Sequence, residues 1–97
     1  MGTYIALINY TDQGIRNIKD SPDRAEAARK AIQDMGGDMT AVYLTMGTYD
    51  LVVIIEAPSD EVVARFVLAT GAQGNVRTTT LKAFTQAEFR DIVAGLP

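Results

Sequence analysis

The sequence predicts an α+β fold in which a four-stranded antiparallel sheet carries two long helices in a βαββαβ order. Four segments are rich in β-branched or aromatic residues, two segments combine a helix start signal with an apolar stripe, and short turn signals separate them. The 97 residues suit one domain, 1–97, and are enough to form a core without disulfides.

The first strand is predicted over 4–10 (YIALINY). Both of its faces are apolar, so both faces are expected to be covered. Thr11 caps a short helical turn, and Ser21-Pro22 starts a longer helix, because serine accepts from the free amides of the first turn and proline suits the first helical position. Small alanines on the apolar stripe are expected to let this helix sit close on the sheet, and a Gly-Gly pair ends it.

The second and third strands are predicted over 39–46 and 49–57, with the turn Gly47-Thr48 between them. The third strand is the most apolar segment of the chain and has no solvent face before Glu56. Such a run belongs in the middle of a sheet.

The second half of the chain repeats the helix-then-strand order. Ser59 caps a helix whose valines and phenylalanine are expected to face inward, 71–74 (GAQG) is predicted as a loop, and 76–84 is a strand. Thr85-Gln86-Ala87-Glu88 is a capping box that starts a short C-terminal helix. The complete order is that of a ferredoxin-like sandwich with a helix added at its C-terminal end.

One face of the predicted sheet lacks a cover, since two helices cover only the other face. Soluble monomers rarely expose a contiguous apolar patch of more than a few hundred Å². Either the C-terminal helix folds across the open face or a second copy packs against it. A helix of roughly ten residues is only ~15 Å long, so a homodimer or higher homo-oligomer is the preferred prediction.

The composition excludes several function classes. The chain has no Cys and no His, which removes thiol chemistry, imidazole triads and the commonest transition-metal ligands. Its net charge is −3 with scattered basic residues, which does not suit a nucleic-acid reader. No apolar run is long enough to span a membrane. We therefore expect a cytoplasmic protein with no metal site, no cofactor, and neither nucleic acid nor membrane as a partner.

The segment 46–58 (MGTYDLVVIIEAP) resembles the signature of GYD-domain proteins, and the earlier 11–24 also follows that family's pattern. The resemblance covers nearly the whole chain. It implies a dimeric α/β barrel and does not supply a reaction.

A more distant likeness is carried by 47–52 and 76–80, which are similar to the effector-binding domain of Lrp/AsnC regulators. In that domain the hairpin and the Thr-rich last strand contribute to a dimer and to small-ligand pockets between subunits. The likeness implies a stand-alone ligand domain, because the helix-turn-helix half is absent from this chain.

The hairpin supplies the first candidate site residues. Asp50 precedes an apolar strand, so its carboxylate must be solvated or hydrogen-bonded. It is expected either to accept the backbone amides of the Gly47 turn or to act in a site, by contacting a ligand or transferring a proton. Gly47 is expected to supply a positive φ or a close backbone approach. Tyr49 is either a pocket wall or an interface residue.

Two further groups complete the candidates. Asn9 and Tyr43, together with Tyr4 and Tyr10, either line a cavity or pack in the core or an interface. Thr79 in the Thr-rich strand either reflects β-propensity alone or offers a hydroxyl to a polar ligand. Lys19 and Arg24 flank the Ser21-Pro22 helix start, and they either hold a carboxylate or phosphate or remain solvated surface charges.

The preferred function is a non-catalytic, homo-oligomeric module that binds a small molecule or a protein partner. The alternative is a small cofactor-independent enzyme of the dimeric α/β-barrel type, an oxygenase or isomerase, although the fold alone is weak support for a reaction. Haem binding is a third reading, in which only Tyr or Met remains as an axial ligand.

Overall fold

The computed structural model describes residues 1–97. Its helices and strands follow the predicted order. The strands are β1 (Gly2–Tyr10), β2 (Asp38–Leu44), β3 (Leu51–Ala57) and β4 (Val76–Ala83). The helices are α1 (Asp12–Arg16), α2 (Ser21–Asp34), α3 (Asp60–Ala72) and α4 (Gln86–Ala94), with a 3-10 turn, Ile18–Asp20, before α2. The ferredoxin-like α+β prediction is confirmed.

The sheet has the strand order β2-β3-β1-β4, and every neighbouring pair is antiparallel. β3 therefore lies between two strands, as its continuous apolar run predicts. Side chains alternate across the sheet, so each strand presents one set of residues to the helices and one to the opposite side. We call the side without helices the open face.

The core lies between the sheet and the two long helices. On the sheet, register pairs such as Tyr4 with Ile55 and Ala6 with Val53 point toward the helices. α3 contributes Val63 and Phe66, as predicted. The buried hydrophobic residues are Tyr4, Ala6, Ile32, Met39, Val53, Ile55, Ala57, Val63 and Phe66.

A bulge in β2 decides which face Met39 occupies. The register of β2 against β3 shifts between Met39, which pairs with Ile55, and Ala41, which pairs with Ile54. The extra residue, Thr40, inverts the alternation, as bulges do. Met39 is consequently 4% exposed in the core, whereas strict alternation puts it on the open face with Ala41.

Three local predictions are wrong. The predicted loop 71–74 is helical through Ala72, and the chain turns at Gly74, whose φ is +85°. Ser21 is the first residue of α2 rather than a side-chain cap, because its hydroxyl bonds to the Tyr10 hydroxyl at 2.6 Å. The connection from β2 to β3 is six residues long rather than a two-residue turn, because the strands stop at Leu44 and resume at Leu51.

The capping predictions at the other helix starts are confirmed. The Thr11 hydroxyl accepts from the Gly14 amide at 3.1 Å, and the Ser59 hydroxyl accepts from the Val62 amide at 3.3 Å. Thr85 and Glu88 form the reciprocal capping box of α4.

α4 does not cover the open face. Every residue of α4 is exposed, including Phe89, Ile92 and Val93 on its apolar side. The molecule is 18 Å deep in its thinnest direction, which is the depth of one sheet and one helix layer. The chain therefore leaves two apolar surfaces uncovered, the open face and α4.

Candidate functional site

The loop 45–50 is held by backbone and side-chain hydrogen bonds at its base. The Thr45 amide donates to the Asp50 carbonyl at 2.8 Å, and the Thr45 hydroxyl donates to the Tyr49 carbonyl at 2.6 Å. Gly47 has a φ of +143°, as predicted, and a Cβ there would meet nothing within 4 Å. Backbone conformation rather than crowding therefore favours glycine at this position.

Asp50 ties the loop to the end of β1. Its amide donates to the Ile8 carbonyl at 2.9 Å, and its carboxylate Oδ2 accepts from the Tyr10 amide at 2.9 Å. The amide that Asp50 accepts thus belongs to the neighbouring strand and not to the Gly47 turn, which corrects the structural expectation. Tyr49 is half-buried beside it.

Asn9 and the three tyrosines do not line one common cavity, because alternation separates them, and the packing alternative remains for each of them. Tyr4 and Tyr10 share a strand face with the buried Ala6 and lie on the helix side. Asn9 has the opposite parity on β1 and lies on the open face. Tyr43 also lies there, paired with Val52, and is 60% exposed.

The open face carries an apolar centre with polar ends. Two successive rows cross all four strands without a charged residue. These rows are Ala41–Ile54–Ile5–Leu81 and Tyr43–Val52–Leu7–Thr79. The end rows are polar, with Thr3 donating to the Glu56 carboxylate at 2.9 Å at one end and Asn9 paired with Arg77 at the other. The candidates Tyr43 and Thr79 therefore lie in one row at the two edges of the open face.

The two basic candidates have different surroundings. Arg24 is half-buried, and its guanidinium donates to the Asn17 carbonyl at 2.9 Å and to the Gly14 carbonyl at 3.4 Å. Lys19 is exposed in the 3-10 turn and takes part in neither salt bridge of the chain. The structure thus gives a fixed position to Arg24 alone.

A side-chain cluster that sequence reasoning missed joins β1, α3 and β4. The Tyr4 hydroxyl donates to Asp60 Oδ1, and Lys82 Nζ contacts the same oxygen at 2.8 Å. The hydrogen bonds from Lys82 and Tyr4 hold the pKa of Asp60 below its ordinary value, and the bond to Asp60 raises the pKa values of Lys82 and Tyr4. These directions keep Asp60 and Lys82 charged and Tyr4 neutral. The cluster is therefore suited to fixing α3 on the sheet rather than to moving protons.

Sequence reasoning also missed a cavity between α2 and α3. It has a volume of about 200 Å³, and its floor is the helix side of the sheet. Seventeen of its 23 lining residues are hydrophobic, and Arg24 is among the polar ones. The alanines of α2 are the only sequence signal for this space, and by themselves they predict close packing on the sheet.

None of the helices has the length and apolar character needed to cross a membrane.

Comparison with known proteins shows the family and the fold of this chain. The family model described as the GYD domain matches residues 4–93. A curated relative from Thermus thermophilus, the "Glutamine synthetase and cystathionine beta-lyase binding protein", is 34% identical over 97 residues, with 99% of each chain covered. The solved structure of TTHA0845 from the same organism is 28% identical, with a TM-score of 0.55, and covers 88% of this chain and 95% of that one.

The crystal structure of MtbAldR shows the fold alone. It has a TM-score of 0.69 at 16% identity, and 88% of this chain matches 52% of that longer chain. This chain thus spans about half the length of MtbAldR. The family model, which spans nearly the whole chain, and the full-length curated relative agree with the motif 46–58. The chain belongs to the GYD-domain family.

Proposed function

We propose that this chain is a cytoplasmic, non-catalytic homodimeric module that binds an enzyme as its protein partner. The observation that carries the proposal is the uncharged apolar centre of the open face, which nothing in the chain covers. The second uncovered surface, the apolar side of α4, leaves a site for a partner after two copies have paired. The full-length relative named for binding two enzymes supports the same reading.

We assign the open face to a second copy of the chain. Four strands ~4.8 Å apart, with a rise of ~3.3 Å per residue, give a face of roughly 20 by 25 Å. Two such faces bury about 1,000 Å² or more, which is the lower range of specific interfaces. The apolar centre and polar ends match the usual anatomy of an interface, whose core is depleted of charge. A flat face also suits a two-fold pairing, in which each copy contributes the same surface.

We assign α4 to the enzyme partner. Its apolar side presents Phe89, Ile92 and Val93, which are 61%, 48% and 49% exposed. Residues spaced three and four apart on one helix face are the usual anchors of a helix that docks into a groove. The relative's name makes glutamine synthetase and cystathionine β-lyase the enzymes to test first.

The dimer is tested by sedimentation velocity at micromolar concentration. The wild type is expected to sediment as a dimer, and Leu7→Asp as a monomer, because a charge at the centre of the open face would be buried unpaired in the dimer. Leu68→Asp is the matched control, since Leu68 is 73% exposed on α3, away from both surfaces. A monomeric wild type, or a dimeric Leu7→Asp, would contradict the assignment.

Partner binding is tested with immobilised chain and the purified glutamine synthetase and cystathionine β-lyase of the same source organism. At least one enzyme is expected to bind, and Phe89→Ser with Ile92→Ser to weaken that binding at least ~10-fold, because apolar anchors dominate such contacts. Leu68→Ser should leave it unchanged. If neither enzyme binds, or if the α4 variant binds like wild type, the assignment fails.

A further inference from the structure

We propose that the cavity between α2 and α3 binds a small monocarboxylate with an aromatic or branched apolar body. The site lies on the helix side of the sheet. It is therefore separate from the open face and from α4, and the proposal depends on neither the dimer nor the enzyme partner.

The cavity exists because the α2 wall is built of alanine. Ala25, Ala28 and Ala31 line it on one side, while Phe66 and Val67 of α3 line it on the other. A methyl group is too short to fill the space between two helices on a sheet, so α2 and α3 meet at few residues. The resulting volume, about 200 Å³, exceeds the ~150 Å³ of an engineered apolar cavity that binds benzene.

The middle of the cavity selects an apolar body. Its floor includes Ala6, Ile8 and Val53 of the central strands. Side chains of this kind offer no hydrogen bond, so a polar group placed there would lose its hydration without compensation. An aromatic ring or a branched alkyl group gains the burial of the surface that it places against these side chains.

One end of the cavity selects a negative charge. Tyr10, Ser21 and Arg24 line the cavity where α2 begins, and the hydroxyls of Tyr10 and Ser21 are hydrogen-bonded to each other at 2.6 Å. Arg24 has no carboxylate within salt-bridge distance, since the two salt bridges of the chain are Arg29–Glu26 and Lys82–Asp60. Its guanidinium has five N–H donors, and the backbone carbonyls of Asn17 and Gly14 take two bonds from it. Donors remain for a carboxylate, which is the anion that a guanidinium binds best in two-point geometry.

The residues that line the cavity also disfavour some carboxylates. No Asp or Glu lines the cavity. A ligand that carries an ammonium group beside its carboxylate, such as a free amino acid, would bury that cation without a counter-charge. The chemistry therefore favours a simple acid over a zwitterion.

The test compares two probes of nearly equal shape, 3-phenylpropionate and 3-phenylpropanamide, by isothermal titration calorimetry. The acid is expected to bind at least ~10-fold more tightly than the amide, a difference of ~1.4 kcal/mol. Arg24→Gln should remove this preference and Arg24→Lys should restore part of it. Lys30→Gln, a charge change at an exposed position of the same helix, should leave it unchanged.

A cavity-filling variant locates the binding. Ala25→Leu is expected to abolish binding of both probes while keeping the native circular dichroism spectrum, and Ala31→Phe provides a second filling variant at an exposed position of the wall if the first does not fold. Equal affinity for acid and amide, no saturable binding by wild type, or undiminished binding in a folded filling variant would each overturn the proposal.

Discussion

Asp50 shows how one residue joins two strands in this fold. The carboxylate stands just before the apolar β3 and accepts the amide of Tyr10 at the end of β1. A backbone amide at the end of a strand needs a partner, and a charged acceptor gives a stronger bond than a neutral one. The residue that the family motif places in the hairpin thus has a structural task whether or not it also contacts a ligand.

Replacing Asp50 tests that structural task. Asp50→Ala is expected to lower the free energy of unfolding by ~1.5–3 kcal/mol, the usual range for a hydrogen bond to a charged group, and Asp50→Asn by less because an oxygen acceptor remains. Urea unfolding followed by circular dichroism measures both. The control is Asp91→Ala, at an exposed position of α4. An Asp50→Ala variant as stable as this control would leave ligand contact as the better explanation of Asp50.

The Asp60 cluster predicts a pH dependence of stability. The hydrogen bonds from Lys82 and Tyr4 lower the pKa of Asp60 in the folded state. A carboxyl with a lowered folded pKa contributes stability above its unfolded pKa, ~3.9, and loses it as the pH falls toward the folded value. The bonds to Asp60 also raise the pKa values of Lys82 and Tyr4, so the same interaction is lost a second time on the alkaline side, where these two groups give up their protons.

Urea unfolding measures the contribution of the Asp60 charge to the free energy of unfolding. Wild type and Asp60→Asn are compared at neutral pH and in steps below ~4. We expect wild type to be the more stable at neutral pH and the difference to shrink in acid. Asp91→Asn, on exposed α4, should show no such convergence. If the free energies of unfolding of wild type and Asp60→Asn differed by the same amount at every pH, the Asp60 charge would not be what stabilises the cluster.

At the scale of the element, two helical glycines have opposite requirements. Gly14 is buried in α1, and a Cβ there would lie 2.0 Å from the Asn75 carbonyl oxygen. Gly71 lies in α3 with nothing within 4 Å of a Cβ. Gly14→Ala is expected to destabilise the protein by ~1–3 kcal/mol through overpacking, and Gly71→Ala to stabilise it by ~0.5–1 kcal/mol through helix propensity. Thermal and urea unfolding of the two variants measure the sign of each effect, and a stabilising Gly14→Ala would contradict the close approach of α1 to Asn75.

Elements with a strong apolar pattern of their own could be predicted from the sequence. Features that depend on contacts between two segments could not. The apolar run of β3 and the inward face of α3 are local signals, and both predictions are confirmed. The bulge at Thr40 has no signal in the sequence, because it is a matter of register between two strands. Ser21 does not cap α2 for a similar reason, since its hydroxyl bonds to the hydroxyl of Tyr10, a residue of another element.

The candidate site was the least predictable part. Alternation along β1 separates Asn9 from Tyr4 and Tyr10, and this separation was already implied by the period of two. The space between α2 and α3 was not implied by any single segment. It depends on the alanines of one helix facing the other helix across the sheet.

At the scale of the whole molecule, the open face and α4 differ in how well contacts within the chain hold them in place. The open face belongs to a sheet whose two central strands are hydrogen-bonded on both sides. α4 has nine residues and contributes no buried side chain. An isolated helix of that length is marginal in water, and only the Thr85–Glu88 capping box stabilises its start. α4 is therefore expected to gain order from whatever binds it.

Hydrogen–deuterium exchange of the backbone amides tests whether α4 binds the enzyme partner while the open face forms the dimer. In the free protein, amides of 86–94 are expected to exchange much faster than those of β1 and β3, because the helix opens without global unfolding. Adding the enzyme partner should slow exchange in 86–94. Leu7→Asp, which removes the dimer, should leave α4 exchange unchanged.

The same experiment can reverse the assignment of surfaces. If α4 is already protected in the free dimer and loses that protection in Leu7→Asp, then α4 packs on the second copy. The dimer interface would then include the exposed side chains of Phe89 and Ile92, and the enzyme would have to bind elsewhere on the dimer. A nine-residue helix cannot remain both apolar on one side and protected without a partner, so its exchange rate identifies which partner it has.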